Sequence, residues 1–204
     1  MRRFVIIGQT ALASGEFLSE DVPGTSGRLD VLLRCLRAAL LVSHGVRHDT
    51  VAYLVLLGGS RAPRSVRVRG ADARFLRPDE RSLATLLRKS LQAPGVAAPG
   101  FSEVRPGVAV ADGGLQAVIA DVGEGTRYVL EEGAPDLRDA PLDLANPVFF
   151  VGDHLGFDPA TREALRDAIP VGIGPVNLHA GDAIVLVANE LDRRAAGPQT
   201  EPRA

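Results

Sequence analysis

Two stretches in the last third of the chain join short apolar strands to glycine turns, PVFFVGDHLGF (147–157) and PVGIGPVNLHAGDAIVLVANELDRR (170–194). A residue without Cβ tolerates φ > 0 and leaves no side chain in the way. Gly152, Gly156, Gly172 and Gly174 can therefore bring main-chain N–H and C=O groups close to a ligand. Two such turns near each other point to one backbone-lined site, although each taken alone is also what the strand ends of an ordinary α/β fold look like. The histidines do not converge on a metal. His44, His48, His154 and His179 form no ligand pattern, and the one i, i+4 pair, His44 and His48, straddles Gly45 at a predicted helix end. The expectation is a site without a metal.

The elements that must position these turns belong to a chain of 204 residues, enough to bury a full core as one domain, here 1–194. Its 46% hydrophobic and 24% charged residues exclude a disordered chain. Apolar runs such as 183–188 fall far short of a membrane span, and MRRFVIIG lacks the length and cleavage pattern of a secretion signal. The single Cys35 cannot form an internal disulfide, in keeping with a reducing, cytoplasmic setting, and its neighbours Leu32, Leu33 and Leu36 place it in the core. The tail 195–204, with two prolines and little apolar content, is expected to be disordered.

Residues 4–7 predict a buried strand. Ser26 is placed to cap a helix whose stripe of Leu29, Leu32, Leu33, Leu36 and Leu40 continues to 42–43, leaving Arg28, Arg34 and Arg37 away from the core. Residues 51–57 and the alternating 66–69 predict a hairpin. PDERSLATLLRKSL (78–91) predicts a helix with Leu83, Leu86, Leu87 and Leu91 on one stripe and Arg81, Arg88 and Lys89 on the other. The proline- and glycine-rich 92–107 predicts a loop, followed by a strand (107–112), a helix (114–122) and a strand (127–130). A buried strand (149–151), a helix (159–169) capped by Asp158 and a last strand (171–173) come next. By propensity alone AIVLVA (183–188) is a buried strand.

Net charge is only −2, but residues 1–105 hold 16 Lys/Arg against 9 Asp/Glu while residues 106–204 hold 7 against 16. Halves of opposite sign allow a basic face for phosphates. Of the 23 basic residues 22 are arginine, which suits bidentate phosphate contact and base stacking and also follows from GC-rich coding.

The order of the parts carries a resemblance. FVIIGQTA (4–11), PGTSGRLDVLLRCLRAALLVSHGVRHD (23–49), PDERSLATLLRKSL (78–91), NPVFFVGDH (146–154) and GPVNLHAGDAIVLVANELD (174–192) resemble, in order and spacing, the TrmY group of SPOUT RNA methyltransferases. The resemblance covers nearly the whole chain to about residue 194. It implies an α/β fold of SPOUT type, with a mainly parallel central sheet and a C-terminal deep trefoil knot. It also implies that 183–188 is helical, within a helix packed against a second copy in a homodimer. S-adenosylmethionine is the implied cofactor, tRNA the implied partner, and N1-methylation of pseudouridine, at position 54 of tRNA, the implied reaction. A pseudouridine in another RNA, and an RNA-binding knot protein without turnover, remain as alternatives.

The resemblance further implies that the cofactor is held by Leu130, Gly152 and the turn Ile173, Gly174, Pro175, Val176, Asn177, Leu178, with main-chain groups running on to Ala183. Relatives commonly carry cysteine at this last position, so any side-chain role there is in doubt. Methyl transfer from a sulfonium is a displacement that needs the donor bent, the acceptor nitrogen aligned and its proton removed. Pseudouridine is attached through carbon, so its N1 bears a proton and becomes a nucleophile once deprotonated. Asp153 and His154 stand nearest to polarise that N–H, His154 being equally readable as a residue of its own turn. Arg28 in GRLD suits a phosphate or the target base, and Asp30 either orients Arg28 or caps the helix.

Overall fold

A strand buried on both faces needs apolar residues at every position, and Phe4 to Ile7 supply them. Phe4 and Ile6 enter one core, Val5 and Ile7 the other, all with no exposed surface. In the computed structural model, which describes residues 1–94 and 100–197, this strand, β1 (Arg2–Leu12), lies inside an eight-stranded sheet. The other members are β4 (Thr50–Gly58), β5 (Arg64–Arg69), β6 (Ser102–Arg105), β7 (Val108–Ala111), β8 (Thr126–Leu130), β9 (Pro147–Gly152) and β10 (Ile169–Val171). The order is β10-β8-β9-β1-β4-β5-β7-β6. The first five strands run parallel and the last three add antiparallel, so the fold is α/β with a mainly parallel central sheet.

Helices α2 (Leu29–Leu40), α3 (Glu80–Gln92) and α6 (Ala180–Ala196) cover the Phe4/Ile6 face, and α4 (Leu115–Val122) covers the Val5/Ile7 face. Two short helices, α1 (Val22–Thr25) and α5 (Pro159–Ala164), complete the set among the described residues. Segment 183–188 is helical despite its strand propensity. Ala183, Ile184, Val187, Ala188 and Leu191 are buried on one side of α6, so a tertiary contact stripe overrides local preference.

The structure corrects several boundaries. Helix α2 ends at Leu40, and 42–43 leave the stripe to form a small hairpin, β2 (Leu41–Val42) with β3 (Gly45–Val46), turning at His44 with φ 64°. Ser26 Oγ does accept from Leu29 N at 3.0 Å, but the residue at the cap position is Arg28. The predicted loop 92–107 contains β6, paired with β7, while residues 95–99 lie outside the described ones. Helix α5 stops at Ala164 and β10 starts at Ile169, two residues before the predicted strand. Ala195 and Ala196 belong to α6 rather than to a tail, and 198–204 lie outside the described residues. Cys35 is buried, which pushes its thiol up to about 12. No described helix is long and apolar enough to cross a membrane.

Candidate functional site

Parallel strands all end on one edge of the sheet, and ligands of open α/β sheets gather there. In this chain β8 ends at Leu130, β9 at Gly152 and β10 at Val171, and a cleft of about 950 Å³ opens above them. The turn after β10 and the first turn of α6 form one wall, and the basic side of α2 forms another. Ten of the residues expected at the site line it: Leu130, Gly152, Ile173, Gly174, Asn177, Leu178 and Ala183, with Arg28, Asp153 and His154. Pro175 and Val176 do not. They lie on the exposed outer side of the 173–178 turn, where Val176 keeps 67% of its surface open.

The glycine turn after β9 has a structural cause. An added Cβ on Gly152 would lie 2.9 Å from the backbone of Gly156, which itself has φ 72°, so Gly152 is required by the return of its own loop. Asp153 fixes that loop. Its Oδ2 accepts from Gln9 N at 2.8 Å and its Oδ1 from Leu155 N at 2.9 Å, while its N–H donates to Ile7 O at 3.0 Å. The buried carboxylate thus ties the exit of β9 to the exit of β1. His154 is different: its side chain is 37% exposed and its Nδ1 stands 3.9 Å from Asp153 Oδ2, beyond hydrogen-bond reach. Across the cleft, Gly174 has φ 133°, and a Cβ added there would meet nothing within 4 Å.

Arg28 takes up a left-handed conformation, φ 67°, uncommon for a residue with a side chain. The preceding Gly27 is pressed against β1, where an added Cβ would lie 1.9 Å from Thr10 O, so the approach to Arg28 is set by the bulged end of that strand. Asp30 then orients the side chain. With only 2% of its own side chain exposed, it accepts from Arg28 Nε at 3.0 Å and Nη2 at 3.2 Å and from Arg34 Nη2 at 2.7 Å. Burial raises the Asp30 carboxyl, but the two guanidiniums outweigh it and hold the group below the ordinary carboxylate range. One buried acid therefore aims two cations at the mouth of the cleft.

Other lining residues escaped the sequence reading. Arg34 and Arg37 of α2, Glu131 and Arg162 joined at 2.7 Å, and Asp182 in the first turn of α6 all face the cleft. The basic side of α2 was a visible signal for the first two. Glu131 and Asp182 were visible only as charged residues next to the predicted turns.

The uneven charge also has an internal use. Four ion pairs join basic residues of the first half to acids of the second: Arg2 and Arg47 to Asp192, Arg64 to Asp112, and Arg67 to Asp121. NELD in α6 is part of this scheme. Asp192 accepts from Arg2 at 2.7 Å and from Arg47 at 2.9 and 2.7 Å. Burial raises the Asp192 carboxyl, and the two arginines bring it below its ordinary value. Glu190 accepts from Arg194, whose guanidinium also donates to the carbonyls of Leu137, Arg138 and Ala140.

A family model described as "Putative SAM-dependent RNA methyltransferase" matches residues 1–196. The tRNA (pseudouridine(54)-N(1))-methyltransferase of Methanosarcina acetivorans is 38% identical to this chain over 200 residues, covering 96% of it and 93% of the relative. Its counterpart from Halobacterium salinarum is 40% identical over 196 residues, with 94% and 96% covered. Among solved structures, Archaeoglobus fulgidus Nep1 bound to S-adenosylhomocysteine shares the fold at a TM-score of 0.65 and 16% identity, over 96% of this chain and 99% of that one. Matched along nearly its whole length, the chain belongs to the family of SAM-dependent RNA methyltransferases.

Proposed function

We propose that the protein transfers a methyl group from S-adenosylmethionine to N1 of a pseudouridine in tRNA, at position 54. The observation that carries this reading is the cleft itself, with backbone turns on one wall and Asp30-held arginines on the other. The cofactor would supply an electrophilic methyl on a sulfonium. Leu130, Ile173 and Leu178 offer apolar contact for its adenosine, and the main chain of 173–178 offers N–H and C=O groups to the base edge, with Gly174 leaving room for close approach. Glu131, Glu132 and Asp182 complement the positive charges of such a ligand. Ala183 needs only its backbone for this task, so loss of the cysteine common in relatives is tolerated.

On the acceptor side, Arg28 and Arg34 hold a phosphate or the uracil ring against the donor. His154 takes up the N1 proton, because its side chain is 37% exposed whereas that of Asp153 is 2% exposed and turned to the amides of Gln9 and Leu155. Asp153 acts by fixing the turn that presents His154. The test is mass spectrometry of pseudouridine-containing tRNA after incubation with the protein and S-adenosylmethionine. N1-methylpseudouridine at position 54 is expected. Product only on another RNA would relocate the substrate, and binding without product on any would make this a non-catalytic knot protein.

The same reading includes a single cytoplasmic domain over 1–194, a C-terminal trefoil knot and a homodimer. Supporting the knot, the chain leaving β10 bonds to the 135–137 loop through Gly172, and α6 later grips the adjoining 137–140 segment through Arg194. Supporting the dimer, Leu186 remains 42% exposed on the side of α6 away from the core, next to Val185, which is 50% exposed and also lines the cleft. Val187 is fully buried, so a charge there would break the core. Leu186→Asp is the informative change, and sedimentation should show a monomer.

A further inference from the structure

Phe75 is the most exposed of the large apolar side chains among the described residues, at 86%. A loose loop is not the cause. On one side Ala73 packs against the core and its N–H donates to Arg69 O at 2.9 Å, with Gly107 seated so closely that an added Cβ would lie 2.3 Å from Ala73 N. On the other side Leu76 packs against the same core. Between these anchors Phe75 adopts φ 60°, a left-handed conformation rare for a bulky residue, and the ring is turned outward. A backbone outlier that exposes an aromatic between two fixed neighbours calls for a ligand.

The surroundings name the ligand's chemistry. Arg74 and Arg77 stand one residue before and two residues after Phe75 in the chain, both exposed, and neither has an ion pair within 4.0 Å among the described residues, although Arg77 acts through space on the Asp79 carboxyl. The loop leads through Pro78, Asp79 and Glu80 into a smaller hollow of about 380 Å³ that also touches Arg34 and Arg37, and these two arginines line the main cleft. The two hollows thus share Arg34 and Arg37 of α2, and the smaller one ends at Pro78, three residues along the chain from Phe75. An exposed aromatic face with an arginine on either side of it in the chain suits an unpaired base and its two phosphates, since every base offers a π-face and arginine pairs with phosphate in a fork.

Resting on the RNA reading of the cleft, we infer that Phe75 is a stacking platform for an unpaired base of the substrate RNA outside the target nucleotide, with Arg74 and Arg77 on the adjoining phosphates. This loop sets which RNA is accepted and takes no part in methyl transfer.

The chain contains no tryptophan, so Phe75→Trp places a single reporter on the platform. Its fluorescence should be quenched on adding tRNA, and methylation should be kept. Phe75→Ala should raise KM for tRNA about tenfold, with kcat, S-adenosylhomocysteine affinity and sedimentation unchanged, and Phe75→Tyr should restore KM. A wild-type KM in Phe75→Ala, or no quenching in a Phe75→Trp protein that methylates tRNA, would overturn the inference. A changed sedimentation coefficient in Phe75→Ala would overturn it too, making the loop a contact between copies. Quenching by RNA in a protein that methylates no pseudouridine would instead remove the proposed activity and leave the RNA platform standing.

Discussion

One edge of the sheet is built in two ways. Above β4 and β5 it is closed by Arg64, whose side chain is 1% exposed and donates to Asp112, to the carbonyls of Leu91 and Ala93 at the end of α3, and to Ala13 beyond β1. Above β8, β9 and β10 no comparable buried cation spans the edge among the described residues, and it opens into the cleft. The backbone groups of both regions need partners. In the closed region a guanidinium supplies them; in the open one they come from loop backbone, as in Gly172 N–H to Pro135 O at 2.8 Å and Leu137 N–H to Gly172 O at 2.7 Å, and from the Asp153 carboxylate. The cleft thus lies where loop backbone, rather than a buried side chain spanning the edge, satisfies the strand ends.

The largest effect should come from unplugging the closed region. Arg64→Met leaves several buried carbonyls without a donor and should cost about 3 kcal/mol, lowering Tm by about 10 °C, with affinity for S-adenosylhomocysteine unchanged once folded. A calorimetric loss of affinity at a temperature where the variant is folded would show that the two regions are coupled.

The open region should answer in the opposite way. Gly174→Ala puts a methyl into empty space at a φ that disfavours it, and should weaken cofactor affinity by roughly a hundredfold with a Tm change of only a few degrees. Gly152→Val, which strikes the Gly156 backbone, should damage both quantities and so is the poorer probe of binding. Isothermal titration beside thermal melts separates the two glycines.

Arg28→Ala sharpens the division within the cleft. RNA affinity should fall about tenfold and the log–log salt slope by about one, while cofactor affinity stays at the wild-type value. An unchanged slope with lost methylation would assign Arg28 to the target base instead of a phosphate.

The smallest effect concerns acid. Asp192 has a folded pKa below its ordinary value, so its contribution to stability is complete above that value and is lost as pH falls through the folded one. Asp192→Asn should cost about 1 kcal/mol at neutral pH, discounted because 39% of the side chain is exposed. It should also flatten the stability decline below about pH 4, as denaturant titrations at several pH values would show.

Much of the open region was legible in the sequence because its determinants are local: apolar runs, glycine turns, and a basic helix face at residues 34 and 37. The closed region was not. Arg64 precedes an alternating strand and looks like a solvated cation until the end of α3, some 27 residues on, is brought over it. The same reason hid the partners of NELD, since Asp192 meets Arg2 and Arg47 only after folding. Pro175 and Val176 were placed inside the cleft because a turn's sequence does not say which of its sides faces the ligand. Helix α6 was legible only through the family resemblance, as its local propensity pointed to a strand.

The place of β1 in the sheet sets a timetable for the growing chain. Its partner on one side, β4, follows within about 50 residues, but its partner on the other, β9, pairs Val148 with Arg3, so until about residue 150 has been made one whole edge of the central strand stays bare. An unpaired apolar edge of that kind invites pairing with another chain, and contacts between residues so distant in sequence form slowly. The wall of the cleft comes later still, in residues 173–183. A chain made only as far as residue 172 holds all eight strands and no site, so the bare edge is the hazard of the earlier stages of synthesis and the cleft is among the last features to be formed.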